Sequence, residues 1–98
     1  MNSSTSTNEI QDRIRAVLRR TIGDPVDGLP PDTDLATALG DRYDSLTALE
    51  CIVAIESAFG IEVDFVAQDV RYWFATIDRM TTFVRDQLED RASLGSAG

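Results

Sequence analysis

The run Asp44-Ser45-Leu46-Thr47-Ala48-Leu49-Glu50-Cys51-Ile52-Val53-Ala54-Ile55-Glu56-Ser57-Ala58-Phe59-Gly60 decides how this chain folds. Apolar residues recur through it at helical spacing and Gly60 supplies a stop, so a helix is expected from Ser45 to about Phe59. On a helical wheel Leu46, Leu49, Ile52, Val53, Ile55 and Phe59 occupy an arc wider than half the circumference. Thr47, Glu50, Ala54 and Ser57 are left for solvent. A helix with so broad an apolar arc is expected at the centre of its domain. Ser45 falls at the N-cap or in the first turn, with its hydroxyl at the surface.

Upstream, Gly23 to about Tyr43 contains Pro25, Gly28, Pro30, Pro31 and Gly40, whose fixed or permissive backbones break helices. A long ordered loop is expected there, pinned to the core by Leu29, Leu35 and Leu39, and its length points towards function. Before the loop, Ile10, Ile14, Val17, Leu18 and Ile22 recur at helical spacing, and Ser6-Thr7-Asn8-Glu9 fits a capping box. That first helix ends at Gly23.

Downstream, Ile61, Val63 and Phe65 alternate as a strand would, but no second strand exists to pair with them. The segment is therefore read as a connection into a short third helix around Val66 to Trp73. Thr76 is a suitable N-cap for a last helix carrying Ile77, Met80, Val84 and Leu88. The sum is an all-α domain, a small four-helix bundle with a long first loop and a short third helix. Its expected limits are residues 8–90, between tails at 1–7 and 91–98.

A chain of 98 residues has room for one core. Seventeen acids against nine bases give a formal charge of -8, which repels nucleic acid and anionic lipid and favours a partner with a positive patch. No apolar run approaches the length of a membrane span. The polar N-terminus has no basic cluster or apolar h-region, so a cytoplasmic location is expected; a monomer is expected as well.

All the bases are Arg; His and Lys are absent, which excludes Ser-His and Cys-His nucleophile pairs and Schiff-base chemistry. The single cysteine, Cys51, rules out an internal disulfide, and without a neighbouring base it is read as core filler. Asp24, Asp27, Asp32 and Asp34 crowd one loop but lack the spacing of a calcium loop, so no metal site is expected.

From about Ile10 to Leu88 the order and spacing of motifs resemble the acyl carrier protein family, of the discrete type. The resemblance lies in Thr33-Asp34-Leu35, then Leu39-Gly40, then Asp44-Ser45-Leu46, and it continues through Leu49, Glu50, Ile52, Val53, Ile55, Glu56 and Phe59. Gly60-Ile61-Glu62-Val63 and Thr76-Ile77 follow in the same order. The resemblance implies that Ser45 receives 4'-phosphopantetheine from coenzyme A, with Asp44 and Leu46 beside it. A separate phosphopantetheinyl transferase makes the transfer and supplies the magnesium and the base, with Asp44 helping to position it.

The arm would then hold acyl or aminoacyl groups as thioesters, and the chain itself would not be an enzyme. Its further partners would be an acyltransferase, a ketosynthase or an acyl- or aminoacyl-loading ligase. Glu50 and Glu56 match acidic positions that meet basic patches on such enzymes. The other reading is a non-catalytic acidic adapter for a basic partner protein, in which Ser45 is only an N-cap.

Two departures from the family pattern stand out. Asp41, Arg42 and Tyr43 separate Gly40 from Asp44, a longer link than fatty-acid biosynthesis carriers commonly have, which puts Arg42 and Tyr43 beside the arm. The second is Arg71-Tyr72-Trp73-Phe74, whose aromatics cannot all point inward from one helix, so an interface residue is expected there, with Trp73 as the candidate. With the lack of Lys, these features point to polyketide or related specialised biosynthesis rather than general fatty-acid synthesis.

Overall fold

The computed structural model describes the backbone of residues 7–97 and the side chains of residues 7–90. Ser6 and almost all of the expected N-terminal tail lie outside the described residues, as do residue 98 and the side chains of 91–97. Among the described residues there are five α-helices and no strand: α1 (Thr7–Thr21), α2 (Leu35–Leu39), α3 (Ser45–Phe59), α4 (Val70–Trp73) and α5 (Ile77–Ala97). The α5 backbone stays helical into the stretch 91–98.

The three long helices make the core. Ile10, Ile14 and Leu18 of α1 meet Ile77, Met80, Phe83 and Val84 of α5, while α3 contributes Cys51, Ile52, Ile55 and Phe59. Burying a side chain of this size is worth about 1.5 to 3 kcal/mol, so these positions hold the bundle together. Thr76 caps α5 as expected, its hydroxyl accepting from the Arg79 amide at 3.0 Å. Gly60 closes α3 in the left-handed region at φ 67°, the backbone conformation that favours glycine.

The long loop is ordered, as its length suggested, and it is more helical than its prolines and glycines implied. Single 3-10 turns occupy Asp24–Val26 and Gly40–Tyr43, and α2 lies between them. Leu35 and Leu39, four residues apart on α2, both point into the core, and Leu29 is half-buried against it. Two backbone bonds tie the loop to the α4–α5 junction: the Leu35 amide donates to the Ala75 carbonyl, and the Asp78 amide to the Pro31 carbonyl, each at 2.9 Å.

The third helix is shorter than Val66 to Trp73. The Asp64 carboxylate accepts from the Val66 and Ala67 amides at 2.9 and 3.1 Å, a local turn that competes with helix formation. Asp69 then caps Tyr72 at 3.3 Å and starts α4 at Val70, leaving Val66 98% exposed.

Candidate functional site

At the N-terminus of α3 the cap is Asp44, whose Oδ1 accepts from the Thr47 amide at 2.8 Å. Those hydrogen bonds, the Thr47 amide first, hold the Asp44 carboxyl below its ordinary pKa. Ser45 is therefore the first helical residue and not the cap. Its side chain is exposed and makes no hydrogen bond among the described residues. The capping that would have explained this serine without any further role is performed by its neighbour.

Beside Ser45 opens a cavity of about 510 Å³ between α3, the loop and α4, within the range of small-molecule pockets. Leu49, Ile52, Phe65, Val70 and Phe74 form its apolar wall. Asp34, Tyr43, Asp44, Ser45 and Arg71 supply its polar lining. Tyr43 holds the mouth: its hydroxyl donates to the Phe74 carbonyl at 2.6 Å, joining the 3-10 turn before Asp44 to the end of α4. Burial, chiefly, raises the Tyr43 pKa well above the usual phenol value, so this hydroxyl stays a donor.

The remaining candidates divide between surface and framework. Arg42, Leu46 and Glu50 are exposed, Leu46 at 64%. Glu56 is only part-exposed and accepts from the Val63 amide at 2.7 Å, so its carboxylate holds the chain reversal after α3. Of the three consecutive aromatics, Tyr72 is the exposed one at 47%, with Arg79 stacked 4.3 Å from its ring centroid. Phe74 is buried. Trp73 is half-buried with its ring 5.8 Å from that of Phe83, so it serves the core more than the surface.

Cys51 is fully buried and its pKa is pushed up to about 12, first by burial and then by Glu50, which makes it the core filler that was expected. Sequence reasoning named neither Phe65 nor Arg71 as a site residue. Only the fold brings Phe65, on the connection after α3, and Arg71, on α4, to the same cavity as Ser45.

A compact helical bundle with an exposed, uncommitted serine at the start of its central helix, next to an apolar cavity, has the form of a holder for a covalently attached group. The family model described as "Phosphopantetheine attachment site" matches residues 12–84, and the chain belongs to that family. Its prosthetic group is 4'-phosphopantetheine, and the domain is a carrier of that group. No curated protein and no solved structure matches the chain. The residues present fit the group, because the α3 N-terminus offers a free hydroxyl, the positive end of a helix dipole and an adjoining apolar cavity. Among the described residues no helix is long and apolar enough to cross a membrane.

Proposed function

We propose that Ser45 is the attachment point for 4'-phosphopantetheine and that the protein is a discrete acyl carrier in polyketide or related specialised biosynthesis. The observation that carries this reading is the division of labour at the α3 N-terminus, where Asp44 caps the helix and Ser45 is left exposed and uncommitted. The same observation weighs against an adapter in which Ser45 is merely a cap.

Each residue at the site has a part. The Ser45 hydroxyl is the acceptor for a transferase that brings its own base, since this chain has no His or Lys to supply one. Asp44 sets the first turn of α3 and so fixes where the hydroxyl stands. The amides of that turn and the helix dipole favour the negative phosphodiester that results. When attached, the arm supplies a terminal thiol that holds an acyl or aminoacyl group as a thioester. Leu49, Ile52 and Phe74 offer an apolar wall to an acyl chain that folds back, shielding the thioester from water.

Glu50 is exposed on α3 and suits a basic patch on an acyltransferase, ketosynthase or loading ligase. The Glu56 carboxylate is already bonded, so the docking role falls mainly to Glu50, Leu46 and Arg42.

Co-expression with a permissive phosphopantetheinyl transferase followed by intact mass measurement tests this. The expected outcome is a gain of one phosphopantetheine, abolished in Ser45→Ala. No gain with several transferases of broad specificity overturns the carrier role of Ser45.

A further inference from the structure

The core does not reach the start of α3. Asp44, Ser45 and Leu46 are exposed, Thr47 and Ala48 are only half-buried, and the first buried residue of the helix is Cys51, well past Ser45. Helix ends fray where packing does not hold them, so this first turn depends on its hydrogen bonds. The Thr47 amide donates to the Asp44 carboxylate at 2.8 Å and the Ala48 amide to the Asp44 carbonyl at 2.9 Å. Both bonds end on Asp44, so the turn is no firmer than the place where Asp44 stands. The residue before it, Tyr43, carries the tie to the rest of the fold: its ring is half-buried against the core and its hydroxyl donates to the Phe74 carbonyl at 2.6 Å. Phe74 is a firm point. Its side chain is buried with its ring 5.5 Å from that of Phe83 on α5, and the next carbonyl, of Ala75, accepts from the Leu35 amide at 2.9 Å.

We infer that Tyr43 is a positioning residue for the transfer of phosphopantetheine to Ser45. The inference rests on Ser45 being the anchor. Acting through Asp44, the tie to Phe74 keeps the exposed first turn of α3 helical, so the Ser45 hydroxyl, next to the cap, is presented at a fixed place and angle. In the transfer the Ser45 oxygen attacks the phosphorus of coenzyme A nearest the pantetheine and its proton passes to the base of the transferase. The bond from that phosphorus to the bridging oxygen breaks, and adenosine bisphosphate leaves with that oxygen. Tyr43 touches none of these atoms. A nucleophile already held in place loses less freedom on the way to the transition state, and a small displacement of a reacting atom is costly in rate.

Tyr43→Phe keeps the packed ring and removes the tie. Two measurements on the full-length chain test the inference, with Ile14→Val, which thins the core at α1, as the control for general destabilisation. Amide exchange at Thr47 and Ala48 is expected to quicken severalfold more in Tyr43→Phe than in Ile14→Val. With a permissive transferase and coenzyme A, kcat is expected to fall severalfold in Tyr43→Phe with little change in KM for the carrier, and to hold in Ile14→Val. Exchange at Thr47 and Ala48 that matches the control, or a kcat equal to that of the unaltered chain, overturns the inference and leaves the anchor intact. An equal fall of kcat in both variants also overturns it, because the rate then follows stability alone. An unaltered chain that gains no phosphopantetheine mass overturns the anchor and the inference together.

Discussion

The two faces of α3 are almost equally apolar and have opposite fates. Cys51, Ile52, Ile55 and Phe59 are buried against the other long helices, whereas Leu46, Leu49 and Val53 stand 64%, 44% and 50% exposed. A wheel that scores hydrophobicity alone joins the two into one broad arc, because Leu46 and Ile55 look alike until neighbours are present. What separates them is the supply of partners: among the described residues α1 and α5 pack on one face, while the other is left largely open, with Leu49 at the edge of the cavity. Isolated exposed leucines are ordinary, but a stripe of three next to the proposed site of attachment is a surface fit to meet a partner protein.

The comparison breaks most directly by truncation on each face. Ile55→Ala, at a fully buried position, is expected to cost about 2 to 5 kcal/mol in chemical denaturation. Leu46→Ala is expected to stay within about 0.5 kcal/mol, and a comparable loss at both positions would mean that the exposed face is covered after all. The two glutamates of α3 sharpen the same contrast. Glu56→Ala removes the acceptor of the Val63 amide and is expected to cost about 1 to 2 kcal/mol. Glu50→Ala leaves stability unchanged and instead slows acyl loading by an enzyme with a basic docking patch.

At the mouth of the cavity, Tyr43→Phe deletes the bond to the Phe74 carbonyl. The expected cost is about 0.5 to 1.5 kcal/mol, with faster amide exchange in α4 than in α5. The smallest effect is at Asp44. Its carboxyl is held below the ordinary range in the folded protein, so its contribution is present above the unfolded pKa and is lost as pH falls through the folded one. Asp44→Asn, which keeps a capping oxygen, is expected to flatten the acid limb of stability measured between neutral pH and the lower carboxylate range, with little change at pH 7.

Much of this architecture was legible because it rests on local patterns. The stripe of α1, the Thr76 cap with Ile77, Met80 and Val84 behind it, and the Gly60 stop each report on their own neighbours in sequence. The loop pegs Leu35 and Leu39 were legible too, although their four-residue spacing is itself a helical signal that the surrounding prolines and glycines outweighed. The third helix was overdrawn because Asp64 and Asp69 each bond amides two or three residues ahead. Such side-chain turns compete with a helix that hydropathy alone would start earlier. At the site, Ser45 and Asp44 were identified together, but only Ser45 was weighed as the cap, and local sequence does not say which of two good capping residues takes the position.

By itself the sequence determined that this is one small acidic helical domain, without His or Lys for its own covalent chemistry, organised around a helix that begins at Asp44-Ser45. Those are properties of composition and of periodicity within single helices. Tertiary structure alone decided which side of that helix is core, which of Tyr72, Trp73 and Phe74 faces water, and that Arg71 and Phe65 share a cavity with Ser45. The physical reason is that each of these depends on contact between segments far apart in the chain, and burial and unspent hydrogen bonds exist only once those segments have met.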